Sequence, residues 1–219
     1  MPRDFTDQAK FDYRERCIIE PFRRLTGLRA IPKKGQVISL TGPLSDNRGS
    51  ILQSSELDHM LGKEVMAPHQ LHSIESDIGT HKLNERMFQR VFPVSNRPTS
   101  HLGKWIPTFE TLAHNPTFCP IIVHLDLQVG PKEGIVLLGR TLEITNAVEP
   151  KTFTMVTYNT IIKSSYNSKS FDGSFEDALE DERFRSAYIY GWRIDEKVRK
   201  QDYRSNHTVM RTMVLYRRS

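Results

Sequence analysis

With 219 residues, 37% of them hydrophobic, and a mean hydropathy of -0.50, the chain suits one large soluble domain that needs no disulfides for its core. No apolar run approaches the roughly 20 residues of a membrane span, and the opening MPRDFTDQAKFDYRER lacks an apolar signal region. Membrane insertion and secretion are therefore not expected, and cytoplasmic residence is. Cys17 and Cys119 stand in unrelated contexts, which excludes a disulfide framework or a zinc pattern.

The net charge is +5, with a pI near 9.2, and the excess is uneven. From Arg183 onward ten Lys/Arg face three acids, a local excess of seven. A basic cluster of this kind is either a solvated face or a footprint for the phosphates of a nucleic acid.

In chain order, residues 6–26 have helical spacing, with Phe11, Ile18, Phe22 and Leu25 apolar, Pro21 as an expected kink and Gly27 as a stop. Pro32 to Gly35 form a turn, and Val37-Ile38-Ser39-Leu40 the first strand. Ser55 and Asp58 make a capping pattern for a short helix ending near Gly62. A second strand covers Gln70 to Ile74 and leads into Glu75-Ser76-Asp77. Thr80–Val91 follows as a helix with Leu83, Met87 and Val91 on one side. Residues 92–104 are rich in Pro, Asn, Ser and Gly, and Val94 is the candidate for a third strand there.

Trp105 to Ala113 is a short helix. Pro120 to Asp126 is a continuous apolar run closed by an acid, the pattern of a strand buried on both faces. Gly130-Pro131 opens a helix from Lys132 to Asn146. Lys151 to Ile162 is dense in β-branched and aromatic residues and is expected as a strand. Ser174 caps a helix to Arg185, and Ser186–Ile194 and Thr208–Arg217 are strands joined by a basic turn over 195–207.

Strands alternate with helices until the last two strands, which follow one another. The expected class is α/β: a doubly wound, mostly parallel sheet with a C-terminal antiparallel pair. Residues 1–35 form a helical extension packed on an α/β domain of residues 36–219.

This layout resembles the class I S-adenosylmethionine-dependent methyltransferase fold, a Rossmann-like sheet closed by a hairpin of its last two strands. The resemblance spans residues 36–217 and rests on three short landmarks. Leu40-Thr41-Gly42-Pro43 stands where the family places its glycine-rich loop, which implies cofactor contact at Thr41, Gly42 and Pro43. Glycine permits the close backbone approach such a loop requires. This chain has one glycine there, followed by proline, and the family's GxGxG is absent.

Ile74-Glu75-Ser76-Asp77 is the second landmark. In the family an acid at this strand end accepts bonds from the cofactor ribose, which implies Glu75, with Asp77 as the neighbouring alternative. A Rossmann dinucleotide site also uses an acid here but wants GxGxxG at the first loop, which disfavours NAD. Val123-His124-Leu125-Asp126-Leu127 is the third landmark; the resemblance implies that Asp126 lies beside the transferred methyl group as the catalytic candidate, the alternative being a cap on the helix near Gly130. Asp126-Leu127-Gln128-Val129 departs from the Asp/Asn-Pro-Pro-Tyr motif of amino-methylating enzymes. Cys119-Pro120 lies at the wrong strand end, and in the wrong order, for a cytosine-C5 nucleophile.

His59, His69, His72 and His81 are concentrated but lack the converging ligands that zinc requires. The resemblance implies S-adenosylmethionine as cofactor and a methyl acceptor left open, with nucleic acid favoured by the basic C-terminal region. Two readings stand beside it: a non-catalytic scaffold of the same fold, and a basic nucleic-acid-binding accessory protein.

Overall fold

A computed structural model describes residues 6–40, 44, 50–51, 55–127, 131–147, 153–164, 191–198, 201–204 and 208–218. The chain opens with α1 (Thr6–Arg14), a wide π turn (Glu15–Ile19) and α2 (Glu20–Thr26). These run on as one rod, so Pro21 neither breaks nor ends the helix. Proline removes an N–H and crowds the preceding turn. Here it sits in the first turn of α2, just after the π turn, in which the Glu20 N–H bonds to Glu15 O. Gly27 ends the rod with a left-handed φ of 73° and donates its N–H to Arg23 O.

β1 (Gln36–Leu40) is followed by α3 (Glu56–Gly62), β2 (Leu71–Glu75) and α4 (Ile78–Val91). Ser55 caps α3, its Oγ accepting from the Asp58 N–H at 3.1 Å. The buried side of α4 is Asn84, Met87 and Phe88, whereas Val91 is exposed. The expected Leu83–Met87–Val91 stripe is thus turned toward Asn84 and Phe88.

Next come β3 (Thr99–Leu102), α5 (Trp105–Ala113), β4 (Pro120–Asp126) and α6 (Pro131–Ala147). The third strand is therefore not at Val94, which lies in a short 3-10 turn and is 82% exposed. As an edge strand β3 buries little and carries no apolar run to betray it.

β5 (Thr154–Ser164), β6 (Arg193–Ile194), β7 (Gln201–Arg204) and β8 (Thr208–Arg217) complete the described elements. The expected helix over 174–185, and residues 186–190 of the expected strand before Ile194, lie outside the described residues. The turn expected over 195–207 contains β7.

The eight strands form one sheet in the order β3-β2-β1-β4-β5-β8-β6, with β7 also paired to β8. β1 to β5 are parallel, and β8 runs antiparallel to β5, from Thr154↔Arg217 to Ser164↔Thr208. β6 faces Leu215 and Tyr216, while β7 faces Val209 to Thr212 along the same strand. The outer partner of β8 is thus an interrupted strand, shifted in register by its intervening turn.

Alternation along the strands separates two cores. One face presents Ile38, Val123, Leu125, Val156 and Met213 to Trp105, Phe109, Leu138 and Leu142. The other presents Val37, Leu71, Ile122, Met155 and Val214 to Tyr13, Ile18, Phe22, Leu57, Met60 and Met87. The N-terminal rod is therefore part of the second core. Among the described residues no helix is long and apolar enough to cross a membrane.

Candidate functional site

The topology puts a crevice at one place. Chain order reverses between β1 and β4, and in open α/β sheets ligands bind beyond the carboxyl ends of the strands at such a switch. The register defines what lies there. Ser39 pairs with Ser73 on one side and with His124 on the other. Two residues further along, Glu75 and Asp126 occupy one row and point to the same face, on either side of the end of β1. Their strands stand about 10 Å apart, two inter-strand spacings.

Glu75 is buried and accepts from Asn84 Nδ2 at 3.4 Å. Asn84 in turn accepts, through Oδ1, from the Leu44 main-chain N–H at 2.8 Å. One amide from α4 thereby links the acid of β2 to the segment after β1. Asn84 was not singled out in the sequence. Its signal there is a polar residue at a helical position that turns out to face inward.

Asp77 has a different job. Its Oδ1 accepts from the Thr80 N–H at 2.7 Å as the N-cap of α4. The backbone and hydroxyl of Thr80 hold this carboxyl below the usual aspartate range. Thr41, Gly42 and Pro43 lie outside the described residues.

Asp126 is half-buried at the end of β4, and its Oδ1 accepts from Asn159 Nδ2 at 2.7 Å. Asn159 is its register partner on β5, and Thr212 is the register partner of Asn159 on β8. Thr212 Oγ1 donates to Asn159 Oδ1 at 3.4 Å. Sequence inspection missed Asn159 and Thr212 because only the strand pairing brings them to Asp126.

The row beneath is polar too. Ser39 Oγ donates to Glu56 Oε2 at 2.7 Å, and His124 Nδ1 meets Thr157 Oγ1 at 2.6 Å. His124 Nε2 lies 3.9 Å from the same Glu56 oxygen. All four groups are buried between the sheet and the N-terminal elements. They brace the inner side of the crevice.

The histidines resolve into separate local contacts. His59 Nε2 bonds to Glu15, His69 to Asn96, His81 to Ser100 and His72 to His101. No group that could hold a metal ion occurs among the described residues.

The described C-terminal basic residues Arg193, Lys197, Arg217 and Arg218 are dispersed. Arg193 and Lys197 are exposed, but β6 faces Leu215 and Tyr216, toward the amino ends of the parallel strands and away from the crevice. Arg217 is buried, donating to Asn146 Oδ1 at 2.7 Å and Thr145 O at 3.2 Å. Arg218 donates to Leu25 O. Arg183, Arg185, Arg199 and Lys200 lie outside the described residues.

Strand order, the terminal antiparallel arrangement and the helix layers define the methyltransferase-like Rossmann fold. Solved structures agree on this fold. A putative methyltransferase, yhhF, from Escherichia coli matches with a TM-score of 0.51 and 10% identity, covering 99% of this chain and 87% of its own. Magnesium protoporphyrin IX methyltransferase from Synechocystis, solved with bound SAH, matches with a TM-score of 0.51 and 9% identity over 99% of this chain and 89% of its own. A Legionella pneumophila protein reaches a TM-score of 0.53 at 10% identity, over 99% of this chain and 86% of its own. No protein-family model matches the sequence. No curated protein matches it either.

Proposed function

We propose that this chain is an S-adenosylmethionine-dependent methyltransferase. The observation that carries the reading is the placement of Glu75 and Asp126 in one row on either side of the end of β1. That is a gap of nucleoside width at the switch point of the sheet. The cofactor supplies an electrophilic methyl group on a sulfonium. Glu75 accepts from the ribose hydroxyls, each such charge-assisted bond contributing about 1.5–3 kcal/mol. Thr41, Gly42 and Pro43 are the proposed backbone contacts to the cofactor, and Asp77 caps α4 two residues beyond Glu75.

Asp126 would stand beside the methyl group and accept a hydrogen bond from an N–H or O–H of the acceptor, aligning its lone pair with the methyl carbon. Such transfer depends mainly on proximity and orientation, so two carboxylates and a rigid sheet are sufficient machinery.

A second reading has its own observation in its favour. The loop spelling Leu40-Thr41-Gly42-Pro43, with one glycine, suits a non-catalytic protein of the same fold. Calorimetry with S-adenosylhomocysteine and NAD separates the two. We expect S-adenosylhomocysteine to bind, Glu75→Ala to weaken it at least tenfold, and NAD not to bind. Absence of binding to the wild type leaves the scaffold reading standing. A nucleic-acid acceptor predicts affinity for a short oligonucleotide that falls with salt, and a flat profile rejects it.

A further inference from the structure

We infer that Asn159 is a positioning residue for Asp126, so that the crevice selects acceptors or ligand groups that donate a hydrogen bond or carry positive charge at the transfer point. This deepens the methyltransferase reading and rests on it.

Asn159 and Thr212 are fully buried on neighbouring strands, on the sheet face that also carries Met155, Thr157 and Val214. A buried amide is retained at a cost unless its hydrogen bonds are made. Here they are made in one direction. Thr212 Oγ1 donates to Asn159 Oδ1 at 3.4 Å. With Oδ1 occupied as acceptor, the amide turns Nδ2 outward to donate to Asp126 Oδ1 at 2.7 Å.

The order Thr212, Asn159, Asp126 crosses from β8 through β5 to the end of β4. The Leu127 N–H bonds to Asn159 O at 3.1 Å, so side chain and main chain of Asn159 hold the strand end together. One oxygen of Asp126 is thus held by the Asn159 amide, and the half-buried carboxylate keeps its other oxygen as an acceptor. A group arriving there has to bring a proton or a positive charge.

Sinefungin tests this without a known acceptor, because a carbon bearing a primary amine replaces the methylsulfonium at the transfer point. S-adenosylhomocysteine has neither the methyl group nor the charge. The ratio of their affinities by calorimetry reads the carboxylate at that point, whereas binding of S-adenosylhomocysteine alone reads the rest of the site. We expect the wild type to prefer sinefungin at least tenfold, and Asp126→Asn to abolish the preference. Asn159→Leu should reduce it at least threefold with S-adenosylhomocysteine affinity unchanged.

Thr212→Val, nearly isosteric and less disruptive, should also reduce the preference, and Thr212→Ser should restore it. If Asn159→Leu fails to fold, the Thr212 pair decides the matter. A preference that survives both Asn159→Leu and Thr212→Val overturns the positioning role while leaving the methyltransferase reading intact. A wild type that binds neither compound overturns both.

Discussion

Gly134 lies directly against the hydroxyl of Tyr158: a Cβ built at position 134 would stand 2.3 Å from Tyr158 Oη and 3.0 Å from Cζ. This contact seats the first turns of α6 on β5, beside the end of β4. Gly134→Ala therefore sets two effects against each other. Alanine gains about 1 kcal/mol of helix propensity. Overpacking costs about 1–3 kcal/mol, and Tyr158 is a buried ring with little room to retreat. The clash should win. Urea denaturation should show net destabilisation, and adding Tyr158→Phe should recover part of it. A stabilised Gly134→Ala protein would mean that α6 moves freely.

His72 and His101 predict how stability responds to acid. Their rings stack at 5.4 Å with 8° between planes, and His72 Nδ1 meets His101 Nε2 at 3.1 Å. Burial, and then repulsion by His101, push His72 down to about 4. Burial, and then His81, lower His101 as well. His81 itself bonds to Ser100 and lies 3.4 Å from Glu85. Unfolded histidines titrate near 6.5, at about 1.4 kcal/mol per pH unit for each proton the folded state refuses.

The contribution of this pair is complete above about 6.5 and declines as pH falls toward 4. His59, lowered chiefly by burial, adds in the same sense. Urea midpoints at pH 7.5, 6 and 5 should fall in order, and His72→Gln should flatten the slope. Equal midpoints across that range would refute the assignment.

Arg217 should resist conservative replacement. Its guanidinium lies 5.4 Å over the Trp192 ring, while Trp192 Nε1 donates to the same Asn146 Oδ1 that Arg217 uses. Arg217 also satisfies Thr145 O near the end of α6. Arg217→Ala should cost about 1.5–3 kcal/mol, the range for hydrogen bonds to a charged group. Arg217→Lys should recover less than half of that, because an ammonium lacks the planar fork that reaches both oxygens and stacks on indole. Chemical denaturation measures both variants, and full rescue by lysine would show that charge alone matters.

How far the sequence could be read depended on whether a signal was local. β4 was evident because both its faces are buried, and α5 because Trp105 and Phe109 share one buried side. Ser55 and Gly27 mark helix ends through bonds to their own neighbours. β3 was hidden because an edge strand needs no apolar pattern, and β7 because four polar residues inside a basic stretch look like turn.

The candidate site divides in the same way. Glu75 and Asp126 stand at strand ends that a linear reading can find. Asn84 reaches Glu75 from α4, and Asn159 and Thr212 reach Asp126 only through the register of three strands. Nothing local distinguishes those three from ordinary surface amides and hydroxyls.

The interruption between β6 and β7 bears on how this protein behaves at high concentration. An open sheet margin is a template on which another chain can add a strand. Here, among the described residues, one margin is the four-residue β3 and the other is divided into pieces of two and four residues. Neither offers a long, regular rail of unpaired amides and carbonyls. The broken margin is therefore a guard against fibrous self-association, and straightening the turn between β6 and β7 would remove it.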